Sequence, residues 1–301
     1  MDLPHALVLT ADPATGALGP RVADRVRPLL PGAARGRWLV PGAAFESLWN
    51  AGNPDEAVAL RTAVAVELSE LPIDVSVVPA AAGQRAKKLL VADMESTLIA
   101  QELIDELADV AARREEIAAL TRATMRGDID FAASLRHRVS LLAGLTTDDL
   151  ARVAERISPM PGAERLVREM KAAGARTALV SGGFTVFTER VAEVLGLETQ
   201  RGNVLEIRNG RLTGHVHEPI LDAAGKRDVL LELAADADLD LSQVLAVGDG
   251  ANDLLMLDAA GLGVAFRAKP VVRAAMRARP GGAVIEYADL TALLHLQGLP
   301  T

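Results

Sequence analysis

The sequence contains no cysteine and few aromatic residues, and its 40 acidic residues outnumber its 32 basic ones. The absence of cysteine excludes disulfide bonds, thiolate zinc sites and a cysteine nucleophile, and fits a reducing compartment, the cytoplasm. The net charge of -8 argues against a surface for nucleic acid or anionic lipid. No run approaches the roughly 18 consecutive apolar residues that span a bilayer, and the first residues lack the pattern of a secretion signal. We therefore expect no nucleic-acid or membrane partner.

Apolar residues make up 50% of the 301 positions, enough to bury the core of one large or two modest globular domains. Strand-like and helix-like segments alternate in the order βαββαβ over residues 5–79, which predicts a small α/β sandwich. The stretch AAAGQRAKK that follows has no apolar period and marks a linker. The sequence thus predicts a first domain over residues 1–80, a linker over 81–88 and a second domain over 89–301.

Four short runs of Val, Leu and Ala in the second domain predict strands that are buried on both faces of a parallel sheet: LLVAD, RTALVSGG, VLAVGDG and GVAF. The first three end in Asp, Ser or Gly, and ligands of open α/β sheets bind at the carboxyl ends of the strands. Amphipathic helical segments fill residues 100–158, between the first two strands, and predict a cap over that end of the sheet. The predicted fold class is α/β, with a Rossmann-like parallel sheet.

Polar residues at these strand ends are suited to phosphoryl chemistry, although each also has an ordinary structural explanation. Asp93 could attack phosphorus if a cation shields the two anions, or could simply cap the next helix. Ser181 and Gly182 offer a hydroxyl and a backbone N–H to an oxyanion, or belong only to a turn. Lys226 could hold a phosphoryl oxygen, whereas most single lysines are solvated at the surface.

The VGDGAND loop after the third strand carries two carboxylates, Asp249 and Asp253, together with Asn252. Two carboxylates near a strand end suit Mg²⁺, a hard cation that prefers oxygen ligands. The loop could also be an ordinary turn. A calcium loop is excluded because the spaced acidic ligands and the closing glutamate of that motif are missing.

Read in order, DMEST, SGGF, the lysine of GKRDVL and GDGANDLLML resemble the four motifs of the haloacid dehalogenase superfamily, phosphatases that form an aspartyl phosphate. Four motifs in this order are much rarer by chance than any one of them. Most of residues 88–296 is similar to the phosphoserine phosphatase family, including the segments QELIDELA and FAASLRHRVSLLAGL. Residues 1–80 resemble, with weaker motifs, the ACT-like domain of bacterial members.

The resemblance implies roles for the motif residues, and it implies Mg²⁺ as the cofactor. Asp93 is the implied nucleophile and also a metal ligand. The other implied contributors to the metal site are Asp249, the backbone carbonyl of Glu95, and Asp253 through the waters of the ion. The residues implied to surround the phosphoryl oxygens are Ser181, Gly182, Lys226 and Asn252.

Three cap residues match the family's contacts with the rest of the substrate. Arg138 would pair with a carboxylate through two charge-assisted hydrogen bonds, Glu102 would receive an ammonium, and Phe131 would form an apolar wall. Taken singly, such residues are more often an exposed arginine, a solvated carboxylate and a core phenylalanine. Arg136 and His137 flank Arg138, so the sequence leaves some choice between neighbouring side chains.

The first motif departs from the D-x-D-x-T of the superfamily, because Glu95 stands where the second aspartate is usual. That aspartate protonates the leaving alkoxide and then activates water, and a glutamate carboxyl can do both. The additional methylene shifts the carboxyl by about 1 Å or more, and a misplacement of that size can cost on the order of 10²-fold in rate. We hypothesise that Glu95 is the acid and base, in a slightly reshaped site or with a modest loss of rate.

The resemblance implies hydrolysis of O-phospho-L-serine to L-serine and phosphate, the last step of serine biosynthesis. Two other hypotheses stay open. One is a phosphatase or phosphotransferase that acts on a different small phosphomonoester. The other is a catalytically weak sensor of serine or phosphoserine, motivated by Glu95 and by the ACT-like domain, since such domains often bind amino acids. The resemblance also suggests a homodimer formed through the N-terminal domain.

Overall fold

Two sheets with helices on their faces give the chain an α/β fold, as the sequence predicts. One sheet has four antiparallel strands near the N-terminus, and the other has six parallel strands. A separate two-stranded hairpin accompanies the cap. This computed structural model describes residues 3–30, 35–51, 53–81, 83, 85–126 and 128–299.

The N-terminal sheet has the strand order β2-β3-β1-β4, and its neighbouring strands are antiparallel. Leu7 and Leu9 point to one face, where they pack with buried residues of the two helices, because side chains alternate along a strand. The observed order is βαββαβ, whereas the division into domains at the predicted residues stays a prediction. The elements are β1 (Leu3–Thr10), α1 (Pro20–Val26), β2 (Arg35–Val40), β3 (Ala44–Ala51), α2 (Pro54–Glu67) and β4 (Asp74–Pro79).

The other face of this sheet packs against the larger part of the chain. Ala6 and Val8 belong to the same buried apolar cluster as residues of the parallel sheet. Asp74, at the start of β4, accepts hydrogen bonds of 2.7 to 3.2 Å from the backbone N–H groups of residues 286–288. Apolar burial and a buried carboxylate therefore hold the two parts together.

The parallel sheet has the order β12-β11-β10-β5-β6-β7, with the first predicted strand, β5, near its middle. From β5 the chain passes to β6 on one side and later to β10 on the other, so the order reverses at β5. The carboxyl ends of these three strands form the crevice where a ligand is expected. The elements are β5 (Leu89–Ala92), α7 (Ala163–Ala172), β6 (Arg176–Phe184), α8 (Thr185–Leu195), β7 (Thr199–Asn203), α9 (Ala223–Asp236), β10 (Val244–Gly248), α10 (Leu254–Ala259), β11 (Leu262–Phe266), α11 (Pro270–Ala278), β12 (Gly282–Ile285) and α12 (Ala292–Leu296).

Helices inserted between β5 and β6 form the predicted cap, and a hairpin packs against them. The hairpin is joined to the cap by backbone hydrogen bonds from Gly144 to Leu212 and from Thr147 to Gly210. None of the described helices is long and apolar enough to cross a membrane. The cap elements are α3 (Leu103–Val110), α4 (Arg114–Arg126), α5 (Phe131–Ser140), α6 (Thr147–Ala154), β8 (Leu205–Arg208) and β9 (Arg211–Val216).

The hairpin and the two outer strands, β7 and β12, were not predicted. The sequence of β7 is TQRGN, which lacks the apolar run of a strand buried on both faces, because β7 lies at the edge of the sheet. The sequence of β12, GAVI, is buried, but it begins with glycine, so its apolar run is only three residues long. Such short or edge strands carry little periodic signal.

Candidate active site

Three carboxylates meet at the carboxyl ends of β5 and β10. The backbone N–H of Asp93 donates to the carbonyl of Val247 at 3.0 Å, which fixes the end of β5 beside β10. Carboxylate oxygens of Asp93, Asp249 and Asp253 lie within 4.8 Å of one another, and all three residues are buried. The sequence prediction that these residues share a site is consistent with this geometry.

Lys226 lies between two of these carboxylates. Its Nζ is 2.7 Å from an oxygen of Asp93 and 2.7 Å from an oxygen of Asp253, and the side chain is only 1% exposed. Asp222 caps the start of α9 by accepting the N–H of Gly225, which places Lys226 on the first turn of that helix. Burial lowers the pKa of Lys226, but Asp253 and Asp93 outweigh burial and raise it above its usual value. The lysine is therefore charged, and it is not a surface residue.

Lys226, together with Lys269, whose Nζ lies 3.8 Å from an oxygen of Asp249, does not neutralise three carboxylates. Burial, followed by the charge of Asp253, raises the pKa of Asp93 to about 7, and burial raises the pKa of Asp249 to about 6. Asp253 accepts N–H groups of Asp249 and Gly250 at 3.1 and 2.9 Å, so it shapes the loop as well as contributing charge. A cluster of buried oxygen ligands with excess negative charge fits a divalent cation.

Near its end, β6 departs from regular pairing with β7 between Val180 and Phe184, and residues 181–183 form a bulged loop beside the carboxylates. Ser181 is buried, and its Oγ accepts the N–H of Gly183 at 3.0 Å. Asn203, on β7, donates to the carbonyl of Gly182 at 2.8 Å and accepts the N–H of Leu221 at 2.7 Å. Asn203 thus ties this loop to the segment that leads into α9. Asn203 is not recognisable from the sequence, because a single asparagine in a polar edge strand gives no signal.

Phe131 of the cap lies directly over this loop. A Cβ placed on Gly182 would be 3.2 Å from the Phe131 ring. Asn252 folds back over its own loop, since a Cβ placed on Gly250 would be 2.3 Å from its Oδ1. Glycine at positions 182 and 250 therefore leaves room for close approach by neighbouring side chains.

Glu95 lies between the loop at the end of β6 and the first cap helix. One oxygen of its carboxylate accepts the N–H of Leu103 at 2.7 Å. The other, Oε2, would be 3.7 Å from a Cβ placed on Gly183. Burial, followed by the nearby charge of Glu102, raises the pKa of Glu95 to about 8. A carboxyl that holds its proton near neutral pH is suited to act as a general acid.

The residue after Glu95 connects it to the next candidate. Ser96 has a positive φ of 54°, a conformation that turns the chain sharply and that non-glycine residues seldom adopt. Its Oγ donates to an oxygen of Glu102 at 2.8 Å. Such strained residues cluster at functional sites, where the surrounding contacts hold them in place.

Arg138 is the buried member of its group of three neighbouring basic residues. Burial lowers its pKa, an effect partly offset by the charges of Glu95, Asp105 and Glu102, so these three carboxylates lie near enough to interact with the guanidinium. His137 is exposed, and Arg136 pairs on the surface with Glu218 at 2.7 Å. The geometry therefore favours the choice of Arg138 over its neighbours.

The sheet with its reversal at β5, the carboxylates at the ends of β5 and β10, and the cap inserted after β5 define a hydrolase of the haloacid dehalogenase type. The family model for haloacid dehalogenase-like hydrolases matches residues 90–258, and the chain belongs to this family. A haloacid dehalogenase family hydrolase from Salmonella enterica serovar Typhi superposes with a TM-score of 0.83 at 30% identity, covering 97% of this chain and 98% of that one. That likeness includes the N-terminal sheet.

Within the family, the chain is similar to phosphoserine phosphatases. It is 46% identical over 244 residues to the phosphoserine phosphatase of Streptomyces coelicolor, a match that covers 81% of this chain and 58% of the relative. The chain thus spans somewhat more than half the length of that relative. A structure described as a phospho-aspartyl intermediate analogue of phosphoserine phosphatase has a TM-score of 0.64 and 39% identity, covering 69% of this chain and 98% of that one.

Proposed function

We propose that this protein is a Mg²⁺-dependent phosphoserine phosphatase, which hydrolyses O-phospho-L-serine to L-serine and phosphate in the last step of serine biosynthesis. The observation that carries the proposal is the arrangement of Asp93 against Lys226, beneath a cap whose buried Arg138 lies near enough to Glu95 and Glu102 to interact with their charges. The similarity to phosphoserine phosphatases, one of them captured as a phospho-aspartyl analogue, supports the same conclusion.

In this mechanism Asp93 is the nucleophile. An Oδ atom of Asp93 forms a bond to phosphorus as the bond from phosphorus to the serine oxygen breaks, and the carboxyl of Glu95 gives its proton to that oxygen. A water oxygen then bonds to phosphorus as the Asp93–phosphorus bond breaks, and Glu95 takes a proton from that water. The pKa of Glu95, raised to about 8, suits the acid role at neutral pH.

The phosphoryl oxygens would be held by Lys226, by the hydroxyl of Ser181 and by the backbone N–H of Gly182, with Asn252 close by. These groups are buried or partly buried, so their charge and dipoles act where little water competes. Lys226 is already fixed by its two carboxylate partners, which means that no reorganisation is needed when the phosphoryl group arrives.

For the metal, we propose Mg²⁺ held by Asp93, Asp249 and the backbone carbonyl of Glu95, with Asp253 contributing through the waters of the ion. Hard oxygen donors and an excess of buried negative charge fit this ion. A bound Mg²⁺ would supply the positive charge that shields Asp93 from the incoming phosphate.

The cap would recognise the amino-acid part of the substrate. Arg138 would bind the carboxylate through two parallel hydrogen bonds, and Glu102 would bind the ammonium. Phe131 would close the pocket over Gly182. We also propose a cytoplasmic location and a homodimer formed through the N-terminal sheet, neither of which affects the chemistry of the site.

The test is phosphate release from O-phospho-L-serine with and without Mg²⁺, for the wild type and for Asp93→Asn. Asp109→Asn, an exposed carboxylate on the outer part of the cap, is the matched control. We expect Mg²⁺-dependent turnover that prefers phosphoserine over other phosphomonoesters, disappears in Asp93→Asn and persists in Asp109→Asn. Equal turnover of unrelated phosphomonoesters would refute the substrate assignment, and activity in Asp93→Asn would refute the nucleophile.

A further inference from the structure

Glu95 caps a helix that begins eight positions further along the chain. Leu103 is the first residue of α3, and its N–H donates to Glu95 Oε1 at 2.7 Å. Glu102, the N-cap residue, makes no side-chain capping bond to this helix. The first N–H groups of a helix lack partners within the helix, so the carboxylate of Glu95 satisfies one of them.

The two oxygens of this carboxylate face different parts of the site. Oε1 is held at the cap helix, whereas Oε2 would lie 3.7 Å from a Cβ on Gly183. The same Cβ position is 3.2 Å from Ser181 Oγ, so Oε2 faces the loop that would receive the phosphoryl group. Since Oε1 already accepts the N–H, Oε2 is the oxygen available to carry the exchanged proton.

An aspartate at position 95 could not make both contacts. Its carboxylate would end about 1 Å or more short of the present position, since one carbon–carbon bond is missing. The 2.7 Å hydrogen bond to Leu103 would then exceed the range of a hydrogen bond unless the cap moved inward. The additional methylene of Glu95 is therefore what allows its carboxylate to reach the first N–H of α3.

A second hydrogen bond joins the same two segments in the opposite sense. Ser96 Oγ donates to Glu102 Oε1 at 2.8 Å, so residues 95–96 are joined to residues 102–103 at two adjacent points. These two bonds hold Glu95, the proposed acid and base, together with Glu102, the residue assigned to the substrate ammonium. Both bonds lie at the place where the chain leaves the sheet for the cap.

We propose that the backbone N–H of Leu103 is a positioning group that allows a glutamate to act as the acid and base, by holding Oε1 so that Oε2 faces the phosphoryl site. This deepens the proposed phosphatase function and rests on it. Oε2 gives its proton to the serine oxygen as the oxygen–phosphorus bond breaks, and regains one from the water that attacks the phosphoryl-Asp93. Glutamate at this position is then fitted to its site.

The test removes the N–H and keeps the helix. Leu103→Pro does so at the first helical position, where proline is favoured, and Glu102, with φ and ψ of -102° and 99°, is already outside the α region that is disfavoured before proline. Leu103→Ala is the matched control, because it loses buried side-chain contacts but keeps the N–H. We expect kcat of Leu103→Pro to be on the order of 10²-fold below that of Leu103→Ala, with KM similar in the two variants.

The same pair is compared in a Glu95→Asp background. The shorter carboxylate does not reach residue 103, so Pro and Ala at that position should then differ by less than about 3-fold in kcat. Equal kcat for Leu103→Pro and Leu103→Ala when Glu95 is kept, or an equally large ratio between them in the Glu95→Asp background, overturns the proposal. Glu95→Asp alone should lower turnover, and a higher turnover would also count against it.

A second measurement does not depend on activity. The Leu103 amide should exchange its hydrogen about tenfold faster in Glu95→Ala than in the wild type, whereas an equal rate overturns the proposal. If the wild type hydrolyses no phosphomonoester, the proposed function fails, but the exchange rates still show whether the Leu103 N–H is bonded to Glu95. Should Leu103→Pro not fold, a backbone ester at position 103 removes the N–H and keeps the leucine side chain, and its kcat is then compared with that of the wild type, with the same expected ratio.

Discussion

Replacing Lys226 by methionine tests whether this lysine neutralises the carboxylate cluster. Methionine is of similar length but leaves Asp93 and Asp253 without the partner that each has at 2.7 Å. Removing one member of a buried ion pair typically costs about 3–5 kcal/mol. Because Asp93, with a pKa of about 7, can take up a proton near neutral pH, we expect the lower end of that range, about 3 kcal/mol. For a domain of about 150–250 residues this lowers Tm by roughly 6–12 °C.

The assay is thermal unfolding at pH 7.5, with a chelator or with Mg²⁺. Lys171→Met is the control, since that lysine is exposed and bonds only the Gly196 carbonyl among the described residues, and it should shift Tm by no more than about 2 °C. Mg²⁺ should raise the Tm of Lys226→Met more than that of the wild type, because the cluster without its lysine attracts a cation more strongly. A metal-free Lys226→Met with the Tm of the wild type, or an equal response of both to Mg²⁺, would refute the reasoning.

Three further predictions concern the pocket wall, the contact between the sheets and the metal ligands. Gly182→Ala brings a Cβ to 3.2 Å from Phe131, so we expect kcat/KM to fall about tenfold, with partial recovery when Phe131→Leu is added. Asp74→Ala leaves backbone N–H groups without an acceptor, and the free energy of unfolding measured in urea should fall by about 2–4 kcal/mol. Mg²⁺ must displace protons from Asp93 and Asp249, whose pKa values are raised to about 7 and 6, so its affinity measured by calorimetry should increase about twentyfold from pH 6 to pH 8.

The two substitution predictions each have a matched control. Gly19→Ala adds a Cβ with no atom within 4 Å and should leave kcat/KM unchanged. Asp236→Ala removes an exposed carboxylate and should change the free energy of unfolding by less than about 0.5 kcal/mol. A double variant no more active than Gly182→Ala, an Asp74→Ala as stable as Asp236→Ala, or a Mg²⁺ affinity that does not change with pH would each contradict the corresponding prediction.

The parallel sheet and the place of its crevice could be predicted because they leave strong local signals. LLVA and VLAVG are apolar in every position but glycine, as strands buried on both faces must be, and each is followed at once by an acidic residue. The carboxyl ends of parallel strands lie at one edge of the sheet. The sequence alone therefore predicts that residues far apart in the chain, such as Asp93 and Asp249, lie close together. The number of strands could not be predicted from the sequence, because an edge strand such as β7 is polar.

The contacts that decide how Glu95 works could not be predicted from the sequence. The sequence alone suggests that the additional methylene misplaces the carboxyl, because Glu95 can then be compared only with an aspartate in an otherwise unchanged site. In the structure the position of the carboxylate depends on where α3 begins, and that depends on the turn at Ser96 and on the burial of Leu103. The position of a main-chain N–H group cannot be read from the residue types in the sequence. Whether a longer side chain is a defect or a fit is therefore decided by a group that only the fold brings within 2.7 Å.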